Sequence, residues 1–283
     1  MRADDPADPQ AYAALASVYE RARPSYPREL LDLLARHVGA RAGDAVTEIG
    51  AGTGRFTRLL AERRFALTAL EPVAAMRAEA PTLKGVVWTD GTFERTGLPS
   101  RSQRWVVSAQ AFHWAERRAA LAEIRRILQP DGWLTVLWNA HHIEREPLLQ
   151  RTYAMLRRYV PAYRYVDRTT RMRRMASRAA AALPRAAQRT VGRVVSGRGL
   201  ELVATGDFDR LVYHEVEHAV GVDVATYVDL WRSRNRLRHI AGPVAFDAFV
   251  RELASTLERD GIDAVTVPYV CGAWSARVRT GPS

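Results

Sequence analysis

Asp44–Gly54 reads DAVTEIGAGTG, a short apolar run that turns directly into three glycines at alternate positions. The run suits a buried strand, because β-branched and small apolar residues fit a pleated surface covered on both faces. The glycines allow left-handed backbone and close approach of a ligand. Phe56–Arg64 has helical periodicity, so the segment reads as strand, tight turn, helix. Working outward, Ala66–Leu70 is a second strand and Pro72–Glu79 a short helix. Gly85–Trp88 and Trp105–Ser108 are strands three and four. Arg117–Leu128 is a helix with Leu121, Ile124, Ile127 and Leu128 on one face. A Pro130-Asp131-Gly132 turn then leads into strand five, Trp133–Trp138. Strands alternating with helices over short connections imply a parallel, doubly wound sheet.

The pattern changes after Asn139. Residues 146–195 are rich in Arg and Ala and read as helical, broken at Pro161 and Pro184. Leu200–Val203 and Leu211–Val216 read as strand, Tyr227–Arg236 and Phe246–Arg259 as helix, and Tyr269–Val278 as a last strand. Pro268 cannot donate to a ladder and is expected just before that strand. Upstream, residues 10–22 are helical in pattern, and Pro24 and Pro27 separate them from a helix over Arg28–His37. The expected fold class is α/β: a Rossmann-like, doubly wound, mostly parallel sheet with an antiparallel last strand. A helical insertion is expected over its carboxyl edge. Four segments follow: an N-terminal helical lid (1–43), a core (44–139), the insertion on the acceptor side (140–198), and the strands and helices completing the sheet (199–283).

Composition narrows the setting. The chain has 283 residues, 47% of them hydrophobic, enough for a sizeable core. Cys271 is the only cysteine, so no intrachain disulfide forms, which fits a reducing compartment. Met1–Gln10 lacks an apolar signal segment, and no stretch approaches the roughly 18–20 apolar residues of a membrane span. A cytoplasmic protein without membrane contact is expected. The formal charge of +11 invites a nucleic-acid reading. Lys84 is the only lysine, however, so the excess is nearly all arginine, as a high-GC genome would write a solvated surface. Nucleic acid is therefore not the expected partner.

The chemistry concentrates around Glu48–Gly54, EIGAGTG. A helix amino end there offers free N–H donors. The dinucleotide fingerprint G-x-G-x-x-G would need a third glycine at position 55, which is Arg55; the spacing here is G-x-G-x-G, which disfavours a pyrophosphate. Glu48 in the loop opening the site suits a cationic amino group and repels a pyrophosphate. Glu71 closes strand two in LTALEP, where a carboxylate can accept both hydroxyls of a ribose.

With these segments read, the chain resembles the type-11 group of class I S-adenosylmethionine-dependent methyltransferases. The matching segments are YERARPSYP (Tyr19–Pro27), EIGAGTG, ALEP, GTFE (Gly91–Glu94), AQAFHW (Ala109–Trp114), LAEIRRILQPDGWLTVLWN and TVPYVCGAWSARVR. The combination of RPSYP with AFHW is more specific than the glycines. The resemblance implies S-adenosylmethionine as cofactor, with Gly50, Ala51 and Gly52 lining its methionine and ribose. Glu71 would hold the ribose. Pro72 and Met76 would lie near the adenine, Thr92 and Phe93 at its amino edge, and Gln110 near the sulfonium. Tyr19 and Arg23 would form a lid, Arg23 facing the cofactor's carboxylate. Two positions depart from the group's pattern. Thr92 stands where an acid is frequent, which shifts adenine recognition toward backbone. Arg104 stands where an Asp often opens strand four.

His113 precedes Trp114 where an acceptor would approach the methyl group. It is the candidate catalytic base, and a carbonyl-bonded packing histidine is its plain alternative. His141 and His142 are candidates for the same mouth. His214 and His218 have helical metal-pair spacing, but their segment reads as strand and no third ligand completes a set, so no metal is expected. Arg157, Arg158, Arg171, Arg173, Arg174 and Arg178, interleaved with Tyr153, Tyr159, Tyr163 and Tyr165, form either a solvated helix face or a contact for an anionic acceptor. The expected reaction is methyl transfer to an N or O atom of a small-molecule acceptor, a specialised metabolite being one candidate. RNA methylation and S-adenosylmethionine binding without transfer are the alternatives.

Overall fold

The computed structural model describes residues 16–161, 170–194 and 199–279. Its strands are β1 (Ala45–Ile49), β2 (Ala66–Leu70), β3 (Val86–Thr89), β4 (Gln103–Ala109), β5 (Leu128–His141), β6 (Phe208–Asp223) and β7 (Ala264–Val278). They join in the order β3-β2-β1-β4-β5-β7-β6. Pairing is parallel from β3 across to β5, and the last strands are antiparallel. The helices are α1 (Ala16–Ala22), α2 (Arg28–Val38), α3 (Arg55–Glu62), α4 (Ala74–Ala78), α5 (Arg117–Ile127), α6 (Pro147–Tyr159), α7 (Thr170–Ala182), α8 (Arg185–Val194), α9 (Val224–Arg232), α10 (Asn235–Ala241) and α11 (Pro243–Arg259).

The chain divides into two compact units. The sheet unit holds Ser25–Asn139, Arg174–Val216 and Cys271–Ser283; the helical unit holds Met1–Pro24, Ala140–Arg173 and Glu217–Val270. These units cut the expected segments differently. Residues 25–43 group with the sheet, and 140–198 divides at 173/174.

In the sheet unit the period of two along each strand sorts side chains onto two faces. Val46, Trp105, Val107, Trp133 and Leu137 join Leu30 and Leu34 of α2 and Phe56 and Leu60 of α3 in one buried cluster. Ile49, Val106, Leu134 and Val136 join Leu121, Ile124 and Ile127 of α5 in another. Burial on both faces is why these strands read as continuous apolar runs. Buried polar groups are paired across strands: the Thr47 hydroxyl donates to Gln103 Oε1 at 2.8 Å, and the Trp105 indole N–H to Thr135 Oγ1 at 2.9 Å. The helical unit has its own core, in which Tyr153, Tyr227, Trp231, Phe246 and Phe249 of α6, α9 and α11 pack together.

Several sequence expectations are corrected. Leu200–Val203 is no strand: Leu200–Leu202 is a 3-10 turn behind left-handed Gly199, and its leucines are buried all the same. Burial alone made the run look like a strand. Pro268 lies inside β7; its carbonyl accepts the His142 N–H at 2.8 Å, so that position needs an acceptor and no donor. Tyr227–Arg236 is split between α9 and α10. The Pro130–Gly132 turn is a bulge within β5, which lets Gln103 pair with Leu128 and Trp105 with Trp133, with Asp131 at φ 66°. Arg104 clamps this edge, donating to Val38 O at 2.9 Å and Asp131 O at 3.2 Å.

Candidate functional site

Strand order reverses beside β1, whose neighbours are β2 and β4. In open parallel sheets ligands sit at the carboxyl ends of the strands at that switch point. Gly50–Gly54 follows β1, Glu71–Val73 follows β2, and Gln110–Trp114 follows β4. Parallel register therefore brings the three segments to one edge of the sheet unit.

The glycines are there for backbone reasons. Gly50, Gly52 and Gly54 all have positive φ, at 74°, 59° and 84°. A Cβ on Gly50 would lie 2.3 Å from the Cβ of Ala111, so the β1 and β4 loops touch only because position 50 has no side chain. Gly50→Ala is therefore expected to cost about 2–5 kcal/mol, left-handed strain plus overpacking. A urea titration matching wild type would remove the argument.

Glu71 is 7% exposed, and its two oxygens organise the turn. Oε2 accepts the Gly52 N–H at 2.8 Å and Oε1 the Val73 N–H at 2.9 Å. Burial raises its pKa, while those two N–H groups and Arg77 pull the other way. Each oxygen keeps a further lone pair for a ligand hydroxyl. Glu48 is more deeply enclosed, at 1% exposure, and accepts the Thr57 hydroxyl of α3 at 2.6 Å. Burial, opposed by that hydroxyl and reinforced by the charge of Glu71, pushes its carboxyl up to about 8. The hydroxyl of Thr53, also buried, finds no hydrogen-bond partner among the described residues.

The other expected residues distribute as follows. Ala51 and Met76 are buried, and Pro72 is half-buried. Phe93 is buried against Phe112, ring centroids 5.6 Å apart and nearly perpendicular. The Thr92 hydroxyl accepts the Arg95 N–H at 3.2 Å, holding the loop after β3. Gln110 has φ 60° and donates its side-chain amide to Asn139 O at 2.9 Å. His113 is exposed on the 3-10 turn Phe112–Trp114, its ring 5.0 Å from that of Trp114. Tyr19 and Arg23 belong to the helical unit. The side chain of Tyr19 lies outside what the structure describes. Arg23 donates from Nε to Ser233 Oγ at 2.9 Å and from Nη2 to Ser233 O at 3.2 Å.

The arginine-rich stretch is more committed than a solvated face. Arg174 donates to Glu215 Oε1 at 2.8 Å, Arg178 joins the same carboxylate, and Arg158 pairs with Glu252. The side chains of Arg171 and Arg173, and the whole of Tyr163 and Tyr165, lie outside the described residues. His141 and His142 are both buried in the helical unit. His141 contacts the Tyr153 hydroxyl at 3.2 Å, and Arg234 reaches its Nε2 at 3.0 Å while lying 4.5 Å over the Trp231 ring. Burial, then the charges of Arg234 and Arg23, hold His141 well below the usual imidazole range. Sequence reading missed Arg234, because nothing in RSRNRLRH separates one arginine from the next. Among the described residues no group of three His, Cys, Asp or Glu could hold a metal, and no helix is long and apolar enough to cross a membrane.

Comparison with known proteins places this geometry. Residues 47–136 match the family described as "Methyltransferase domain". Residues 47–136 are a class I methyltransferase domain. An uncharacterized methyltransferase of Mycobacterium tuberculosis is 36% identical over 133 residues, 46% of this chain and 52% of the relative. The chain thus spans about half the length of the curated relatives it matches first. A putative type II methyltransferase from Anaeromyxobacter dehalogenans shares the fold at TM-score 0.55 and 19% identity, over 92% of this chain and 99% of that one. So does phosphoethanolamine N-methyltransferase 2 of Haemonchus contortus, solved with phosphomonomethylethanolamine and S-adenosylhomocysteine, at TM-score 0.51 and 14% identity, over 96% of this chain and 58% of that one. S-adenosylmethionine is the cofactor of this class. The residues present fit it: a glycine cradle with no room for a Cβ at Gly50, and lone pairs in reserve on Glu71.

Proposed function

We propose that the chain transfers a methyl group from S-adenosylmethionine to an N or O atom of a small-molecule acceptor. The observation that carries this reading is the pairing of the Gly50–Gly54 turn with Glu71 at the ends of adjacent strands β1 and β2. Bound there, S-adenosylmethionine supplies an activated methyl group on a sulfonium. The protein's part is placement, which can be worth roughly 7–11 kcal/mol of barrier. Glu71 takes the ribose hydroxyls on its free lone pairs. Gly50, Ala51 and Gly52 line the methionine and ribose, Pro72 and Met76 lie near the adenine with Thr92 and Phe93 at its amino edge, and Gln110 lies toward the sulfonium; Glu48, enclosed within β1 and protonated up to about pH 8, braces the turn through Thr57 in place of the charge contact expected of it. In this reading residues 140–198 select the acceptor. Solution in the cytoplasm suits such a role.

Labelled-methyl transfer against a pool of host metabolites, with host RNA as a parallel arm, tests the reading. A labelled small molecule formed in step with S-adenosylhomocysteine is expected. Label in RNA alone overturns the acceptor class, and cofactor binding without product overturns transfer. Within that assay His113 is proposed to take the acceptor's proton when the nucleophile is a hydroxyl. His113→Asn then lowers kcat by roughly 10²–10⁴-fold, leaves S-adenosylhomocysteine affinity unchanged and removes a pH dependence near neutrality. Full activity with an unchanged pH profile reduces His113 to packing on Trp114.

A further inference from the structure

The sheet unit has a second concave feature, at the end of the sheet opposite the methyltransferase site. Ser100 and Arg101 precede β4, Arg125 and Arg126 are in the last turn of α5, Gln129 is the second residue of β5, and Arg279 follows β7. Together with the apolar side chains of Leu128 and Val278 they line a cavity of about 800 Å³. β4 runs from this edge to the carboxyl edge, so the two features lie roughly 20 Å apart, a seven-residue strand at about 3.3 Å per residue.

Four guanidinium groups line this cavity, and they are not equivalent. Arg125 is neutralised by Asp207. Arg126 is a structural cation: it donates to both oxygens of Glu123, to Leu98 O at 2.8 Å and to Ser100 Oγ at 3.0 Å, which fixes the serine at the rim. Arg101 and Arg279 are different. Among the described residues neither is paired with a carboxylate; Arg279 donates to the neutral Gly206 carbonyl at 3.0 Å. The Arg101 backbone is pinned, its N–H on Arg126 O at 2.9 Å and its φ at 53°, while its side chain is exposed. Two unneutralised guanidiniums, a positioned hydroxyl and an apolar wall share one cavity of the size that small ligands fill. Guanidinium forks match phosphate geometry, and the apolar wall rewards a non-polar body behind the charge.

We propose that this cavity is a second ligand site, for a small phosphorylated organic molecule, held by Arg101, Arg279 and Ser100 against Leu128 and Val278. The occupant is distinct from the cofactor and from the methyl acceptor, because the cavity is at the wrong end of the strands to meet either.

Calorimetry with phenyl phosphate, in excess S-adenosylhomocysteine so that the carboxyl-edge site does not contribute, tests this on the full chain. Saturable binding is expected, tighter than for inorganic phosphate because only the phenyl ester meets the apolar wall. Arg101→Gln with Arg279→Gln should weaken it at least roughly tenfold. A charge-matched control, Arg232→Gln with Arg251→Gln, should leave it unchanged, with circular dichroism melts confirming that both variants fold. Absence of saturable binding overturns the proposal. So does equal weakening in the control, which would make the effect one of net charge. Equal affinity for inorganic and phenyl phosphate overturns the apolar half. A single-stranded RNA oligomer that depends on Arg101 and Arg279 and is not displaced by phenyl phosphate would reassign the face to nucleic acid.

Discussion

Glu71→Ala is expected to weaken S-adenosylhomocysteine binding by roughly 10²–10⁴-fold. Two losses combine. The carboxylate no longer offers its free lone pairs to the ribose, and each charge-assisted hydrogen bond is worth about 1.5–3 kcal/mol. The Gly52 and Val73 N–H groups, bonded to Glu71 at 2.8 and 2.9 Å, also lose their acceptor, so the glycine turn is no longer held. Glu71→Gln is expected to restore little of either. Its amide keeps one acceptor oxygen but turns an NH2 toward a backbone N–H, so it should bind nearly as poorly as alanine. Calorimetry reads both variants, and a Glu71→Ala protein binding within threefold or so of wild type would show that the ligand's ribose is held elsewhere.

The second large effect is on stability and comes from Glu48. Its folded carboxyl titrates at about 8 against an ordinary value of 4.5, chiefly because it is buried. A folded-state pKa above the unfolded one means that the native state keeps a proton which the unfolded chain releases. The stabilisation is therefore complete below about pH 4.5 and is lost as the pH climbs toward about 8. The slope is about 1.4 kcal/mol per pH unit, so the whole window amounts to about 5 kcal/mol at most. Glu71, also raised by burial, adds in the same direction. Urea titrations of the ligand-free protein should accordingly show stability falling from pH 5.5 to 8.5. Glu48→Gln keeps an acceptor for the Thr57 hydroxyl and has nothing to ionise, so its slope should be much flatter and its stability should exceed wild type at pH 8.5. Parallel slopes for the two proteins would mean that the carboxyl is hydrated in solution.

Much of the sheet unit was legible because its rules are local. The turn EIGAGTG, the strand-closing Glu71 and the amphipathic Arg117–Ile127 each follow from residue type and spacing over a dozen positions. The register that brings Gly50, Glu71 and Gln110 to one edge follows from parallel topology. The errors fell where burial imitated periodicity. Leu200 and Leu202 are core residues on a turn, and Pro268 sits in a strand at a position that needs only its carbonyl.

What the sequence by itself determined is the order of strands and helices through β5 and the residue types at the strand ends: glycines where φ must be positive after β1, and a carboxylate, Glu71, directly after β2. Those are properties of the backbone and of neighbouring residues, and they are written wherever the residues are written. The tertiary structure alone decided how each charge is spent. Arg126, Arg174 and Arg101 look alike in the chain, yet the first is tied to Glu123, the second to Glu215, and the third meets no carboxylate among the described residues. Glu48 and Glu71 are both acids beside glycines, yet the first is enclosed with a hydroxyl and holds its proton toward about 8, while the second is threaded by two backbone N–H groups. The reason is that an ionisable group's behaviour depends on desolvation and on partners that can be many residues away, 28 in sequence between Arg126 and Leu98 and 41 between Arg174 and Glu215. Only folding brings those partners together.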